Sequence, residues 1–477
     1  MDWLQLATER QQELITELQQ LISIKSVLNE EEISAETPFG KGPLEAMQWL
    51  LTKGEEQGMT TKNIDNMAGH IEMGEGEDLL GILCHVDVVP AGNEANWQYP
   101  PFGGIIENGK LFGRGAIDDK GPTMAAWLAM KLVKDAGVPL TKRVRMIIGT
   151  DEETGFRCVD RYFEKEEMPT MGFAPDADFP LINAEKGIAD LLVSRQITDG
   201  AQEQIVSFTA GHRLNMVPDL ATVVLRDMPL DTAQNFQTFL TTNEFEGTAT
   251  TEGEQLVLTI KGRSAHAMEP SKGINAGALL CTFLNTMITT PHSKAFTTLI
   301  TDAFGTSCTG EVLALDYADD ISGETTLNPG VFNVTATTAE IKISMRYSVT
   351  FPFEDKLTAA QQAAATYGFT LDVIDNSPPH HVSADDELVQ VLEGVYRKYS
   401  GDYETPLLAT GGGTYARAMA EKGDATCVAF GMVFPGEPDV AHRADEFVVV
   451  DNLIKAAAIY AEAIVKLAGA KEKEDVQ

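Results

Sequence analysis

The stretch Gly113-Arg114-Gly115-Ala116-Ile117-Asp118-Asp119-Lys120-Gly121-Pro122 constrains this chain more than any other. Two adjacent carboxylates stand on a turn between glycines, and Pro122 is well placed for the first turn of a following helix. A carboxylate on such a turn has free oxygens on both sides and can bridge two cations. Asp118 is read as that bridge, with Asp119 as the alternative. Other acids and histidines must then converge on it.

Several segments can deliver them. Leu79 to Cys84 reads as a fully buried strand and ends in Cys84-His85-Val86-Asp87. Val144 to Ile148 is a second such strand, with Asp151-Glu152-Glu153-Thr154-Gly155 just past its end. Open α/β sheets bind ligands at the carboxyl ends of their strands. Asn108-Gly109 between apolar segments marks a hairpin that delivers the Asp118 turn. Ala174 to Pro180 is an acid-bearing loop stiffened by two prolines, in which Asp176 or Asp178 could reach a cation. Ala441-His442-Arg443-Ala444-Asp445-Glu446 precedes the strand Phe447 to Val450, and Asp451 would cap the last helix.

At 477 residues the chain exceeds the size at which one core keeps growing, so two domains are expected. Residues 1–185 and 385–477 read as an α/β domain with an open twisted mixed sheet flanked by helices. Its helices include one with Leu14, Leu18, Leu21 and Ile22 on one face, one after Pro43, one from Pro122 to about Gly137, and one over Glu387 to Tyr399. Residues 186–384 change character. Thr-rich strands, including Leu256 to Ile260 and Glu340 to Ser348, mix with helices at 275–286 and 353–367, as in an inserted α+β domain with an antiparallel sheet. Pro378 to His381 reads as the linker back, and the charged tail after Ala470 as frayed.

The formal charge of −35 repels nucleic acid and anionic membranes, which excludes both as partners. Five scattered cysteines with no CxxC pair read as buried free thiols of a reducing compartment. Cys84 is turned by strand alternation away from the face of His85. No basic patch before an apolar run marks a signal peptide, so the cytoplasm is expected.

His85, Asp118, Glu153, Asp176 and His442 are two imidazoles and three carboxylates. Such donors suit zinc, or manganese and cobalt at similar sites. Five are too many for one tetrahedral catalytic zinc with an open position. They suit two divalent ions sharing a carboxylate, with an activated water between them. Asp87 can accept the other ring N–H of His85. Glu152 can take a proton from that water and return it to a leaving amine. His70, His212, His292, His380 and His381 receive no role.

Five segments together, HVDVVP (from His85), GRGAIDDKGP, TDEETG (from Thr150), PDADFP and AHRADE, resemble the metal-site motifs of the dinuclear zinc peptidases related to aminoacylase, bacterial glutamate carboxypeptidase and carnosinase. Within that family the chain resembles bacterial dipeptidases of the PepV type. The resemblance covers nearly the whole length. It implies that His85 and Asp176 hold one metal, Glu153 and His442 the other, and Asp118 both. Glu152 becomes the general base and Asp87 the partner of His85. The insert becomes a lid, in which His266 polarises the scissile carbonyl while Asn215 and Arg346 bind substrate. Gly411, Gly412 and Gly413 cradle the substrate's C-terminal carboxylate. The family also places a cis bond between Asp118 and Asp119. The function so implied is hydrolysis of dipeptides with a free N-terminus, β-alanyl dipeptides included, by hydroxide generated at the metals. The long insert would let one chain complete its own site, so a monomer is expected.

Overall fold

The structure is a computed structural model, and it describes residues 1–423 and 425–469. The expected frayed tail lies outside the described residues. The chain forms two compact units, one of Met1–Asn183, His381–Leu408 and the chain from Gly413 onward, the other of Ala184–His380 and Ala409–Gly412.

The first unit is built on β1 (Thr60–Ile64), β2 (Ala68–Met73), β3 (Leu79–His85), β4 (Arg143–Gly149), β5 (Met171–Ala174) and β6 (Thr426–Ala429). Their spatial order is β1-β2-β4-β3-β5-β6. The first two pairings, β1 with β2 and β2 with β4, are antiparallel. Strand β3 then runs parallel to β4 and to β5, and β5 parallel to β6, so the sheet is mixed. All seven residues of β3 are buried, which is why its sequence is apolar without alternation. Because β3, β4 and β5 share a direction, His85, the turn after Gly149 and the loop after Ala174 all leave the same end of the sheet.

Helix α1 (Lys120–Asp135) is buried from Lys120 through Val133, and α2 (Val450–Ala468) packs along it. A helix apolar on most sides is one covered on most sides. The alanines of α2 at 456–458, 461 and 463 are fully buried, small enough for the two backbones to approach closely. This last helix starts one residue before the expected cap, so Asp451 lies in its first turn. Four of the cysteines are buried as expected, but Cys308 is only half-buried.

On β2, His70 is 3% exposed. Its Nδ1 lies 2.8 Å from the Tyr162 hydroxyl, which in turn accepts from Arg145 at 3.3 Å. Arginine only donates, so the tyrosine proton goes to His70, which stays neutral. Burial, helped by Arg145 and Lys62, lowers its pKa to about 3. An unfolded histidine titrates near 6.5. Below that pH the unfolded chain takes up a proton that the folded chain refuses, so stability falls as pH falls. We expect this group to cost about 2–3 kcal/mol by about pH 4.5, at roughly 1.4 kcal/mol per unit. His70→Gln should show a correspondingly smaller acid shift in urea midpoint. Equal shifts in both proteins would refute it.

The second unit is an eight-stranded sheet whose strands run, in spatial order, Gly247–Glu252, Gln255–Lys261, Leu220–Leu225, Ile205–Ala210, Thr326–Val334, Thr338–Tyr347, Gly187–Gln196 and Thr370–Ser377. Every pairing in it is antiparallel. Gly187–Gln196 alternates buried and half-buried residues, the signature of a sheet with one packed face. Helices at Thr232–Thr242, Ala276–Asn285, Pro291–Phe304 and Phe353–Thr366 contribute to its separate core. His380–His381, expected as plain linker, is a two-residue strand.

Candidate metal centre and substrate-contact residues

In the first unit the strand ends converge as the sheet direction requires. His85 closes β3 and is fully buried. Its Nε2 faces Asp118 Oδ1 at 3.2 Å and Asp176 Oδ2 at 3.5 Å. His442 Nε2 faces the other Asp118 oxygen and Glu153 Oε2, each at 3.0 Å. Two groups result, His85–Asp118–Asp176 and Asp118–Glu153–His442, in each of which the ligand atoms lie within 4.8 Å of one another. Asp118 belongs to both, offering one oxygen to each. Asp119 and Asp178 belong to neither.

The turn that presents Asp118 depends on its neighbours. Gly115 has φ +88°, a conformation that L side chains rarely adopt. The Asp118–Asp119 peptide bond is cis. Asp119 points inward, where its carboxylate accepts the His85 N–H at 3.1 Å and the Thr123 hydroxyl at 3.0 Å. Adjacent acids thus divide the work: Asp118 faces the cluster and Asp119 ties the turn to β3.

The residues fit a pair of cations. His85 Nδ1 lies 3.0 Å from the carbonyl oxygen of Asp87, an acceptor only, so the ring proton sits on Nδ1. Nε2 then carries a lone pair, is buried, and has no hydrogen-bond partner, as does Glu153 Oε1. Lone pairs aimed at carboxylate oxygens repel unless positive charge lies between them. The same demand shows in proton affinity. Asp118 and Glu153 push His442 up to about 11. Desolvation, then Asp118, pushes Glu153 up to about 6. Nitrogen and oxygen donors in this mixture suit zinc and its neighbours.

Asp87 departs from expectation. It does accept the His85 ring N–H, but through its main-chain carbonyl; its carboxylate is farther, at 3.6 Å. That carboxylate instead accepts the N–H groups of Glu152 at 3.2 Å and Glu153 at 3.1 Å. Glu152 lies outside both ligand groups. Desolvation pushes its carboxyl well above the usual range, with His85 opposing.

The second unit gathers its own set. The segment around Asn215 pairs with the segment around His266: Ala267 N–H donates to Asn215 carbonyl and Val217 N–H to Ala265 carbonyl, both at 2.9 Å. Asn215 and His266 are both exposed. Arg346, 6% exposed, donates to the Gly411 carbonyl at 2.9 Å. Arg346 is paired in register with Thr326, whose hydroxyl lies 3.4 Å from the Met268 carbonyl. A Cβ on Gly411 would meet that of Met268 at 2.9 Å, so only glycine fits there. Thus Asn215, His266, Arg346 and Gly411, up to nearly two hundred residues apart in sequence, are joined by one chain of contacts. Gly412 follows in the same unit, and Gly413 begins the return to the first.

Sequence reasoning passed over two residues. Asn328 is fully buried and donates to the carbonyls of Leu214 at 2.9 Å and Met216 at 2.8 Å, gripping the chain on either side of Asn215. Glu446, also fully buried, lies under the Asp118 turn. Only the final letter of AHRADE hinted at the second, and nothing at the first.

The profile of Peptidase family M20/M25/M40 matches residues 81–466. The chain is 47% identical over 473 residues to "Putative dipeptidase YtjP" of Bacillus subtilis, covering 98% of this chain and all of that one. Its fold is similar to that of the di-peptidase Dug1p from Saccharomyces cerevisiae (TM-score 0.58, 13% identity, 99% of each chain). It is similar also to human carnosine dipeptidase 1 (TM-score 0.57, 14% identity, 98% of each chain). With the clustered metal-ligand residues, these matches make the chain a member of Peptidase family M20/M25/M40, a hydrolase of the metallopeptidase class.

Proposed function

We propose that this chain is a cytoplasmic, monomeric dipeptidase that acts on dipeptides with a free N-terminus, β-alanyl dipeptides included. The observation that carries the reading is the pair of three-residue ligand groups sharing Asp118. Two divalent ions, zinc first and manganese or cobalt as alternatives, would supply Lewis acidity and lower the pKa of water toward neutrality. His85 and Asp176 would hold one, Glu153 and His442 the other, and Asp118 both. Glu152 takes the proton of the attacking water and passes it to the leaving amine nitrogen. Asp87 holds Glu152 and Glu153 in place through their N–H groups, and fixes the His85 tautomer.

The inserted domain, 186–384, acts as a lid and supplies the remaining contacts. His266 polarises the scissile carbonyl, Asn215 and Arg346 bind the substrate, and Gly411 to Gly413 receive its C-terminal carboxylate. No helix among the described residues is long and apolar enough to cross a membrane. Small free peptides are the substrates this reading requires; YtjP and Dug1p bear dipeptidase names.

The test is a substrate panel on chelator-stripped and metal-reloaded protein, at a concentration where sedimentation reads a single chain. Dipeptides should be cleaved only after reloading, and N-acetylated dipeptides not at all. Faster cleavage of N-acetyl amino acids than of dipeptides would make the chain a deacylase. Full activity after exhaustive stripping would remove the metal assignment.

A further inference from the structure

Glu446 takes no part in the reading above, yet four hydrogen bonds converge on it. One carboxylate oxygen accepts the N–H of Ile117 at 2.9 Å and that of Asp118 at 3.3 Å. The other accepts from Arg114 Nη1 at 2.6 Å. Its main-chain carbonyl accepts the Gly113 N–H at 2.9 Å. All four run to the turn that presents Asp118. Glu446 itself sits on the loop that presents His442. One residue therefore ties together two ligand-bearing segments 329 positions apart. Its neighbour Asp445 makes a different tie, accepting the N–H groups of Gln98 at 2.7 Å and Tyr99 at 3.4 Å.

We propose that Glu446 is a positioning residue for the metal centre. By accepting the Ile117 and Asp118 N–H groups it sets where the Asp118 carboxylate stands against His442, 3.0 Å away, and thereby the ion affinity of the Asp118–Glu153–His442 group. The inference rests on the two-ion reading of Asp118. The competing role is a plain buried ion pair with Arg114, which would hold the fold and leave ion affinity alone. The two roles need different things from the side chain. Positioning needs reach, because the bonded N–H groups lie on the far turn. Pairing needs charge.

Two conservative variants separate reach from charge. Glu446→Asp keeps the charge and is one methylene shorter. Glu446→Gln keeps the length and an acceptor oxygen but loses the charge. Each is titrated with cobalt(II) alone, with no substrate. Binding is read from the visible d–d absorption, which reports ligand geometry, and folding from the thermal melt of the metal-free protein. Glu446→Asp is expected to lose about 10–100-fold in affinity for one of the two ions and to alter its absorption, with Glu446→Gln within about threefold of wild type. The proposal is overturned if Glu446→Asp matches wild type, or if Glu446→Gln loses as much as Glu446→Asp. Wild-type protein that binds fewer than two ions would instead overturn the two-ion reading, so the two failures are distinguishable.

Discussion

Glu152→Ala is expected to bind two divalent ions as tightly as the wild type and to hydrolyse dipeptides roughly 10²–10⁴-fold more slowly. Its side chain lies outside both ligand groups, so removing it leaves every metal donor in place. Its main-chain N–H stays fixed by the Asp87 carboxylate at 3.2 Å, so the loop that carries Glu153 is held as before. What is lost is the group proposed to move the proton between water and leaving amine. The loss should therefore fall on kcat, with KM little changed. Elemental analysis of the purified variant and steady-state kinetics on one dipeptide decide the matter. A near-normal kcat would remove Glu152 as the base, and missing metal would make it a ligand instead.

Asp118→Ala carries the other large effect. Each ligand group is left with two members, so affinity for both ions should fall by at least about 100-fold, beyond the range usual for residues that only support ligands. Activity should drop to that of the stripped protein. The metal-free variant should melt close to the wild type, because Asp118 is 18% exposed and its partners are the cluster's own imidazoles. Asp119→Ala is the contrasting case. It orphans the His85 N–H, while the Thr123 hydroxyl keeps the His85 carbonyl at 3.2 Å; the lost bond costs about 1–3 kcal/mol and lowers the melting temperature. If Asp119→Ala lost both ions while Asp118→Ala kept them, the bridge would have to be reassigned.

Both effects trace to features of different legibility. That acids and histidines crowd the ends of buried strands could be read along the chain, because β3 is a short apolar run, β4 a mostly apolar one broken by Arg145, and each is followed by polar candidate ligands. That the insert is built of antiparallel strands and helices was readable from its Thr-rich, alternating segments. The helix Pro291–Phe304 and the helix Thr232–Thr242 were not singled out, although Thr290-Pro291 and Asp231 stand at their starts as capping signals. The division of labour between Asp118 and Asp119 was open, because adjacent residues on a turn have equal access in sequence and opposite facings in space.

The residue types of the candidate metal centre and the order in which they occur were determined by the amino-acid sequence, since side-chain chemistry and local periodicity are properties of neighbours in the chain. Only the tertiary structure decided that Asp87 fixes His85 by its carbonyl and the Glu152–Glu153 loop by its carboxylate. It alone showed that Asn328 grips the chain around Asn215, and that Glu446 joins the Asp118 turn to the His442 loop. These are hydrogen bonds between side chains and the main chain of distant segments. A main-chain N–H or carbonyl has no identity in sequence, so such bonds leave no pattern to read until the chain has folded.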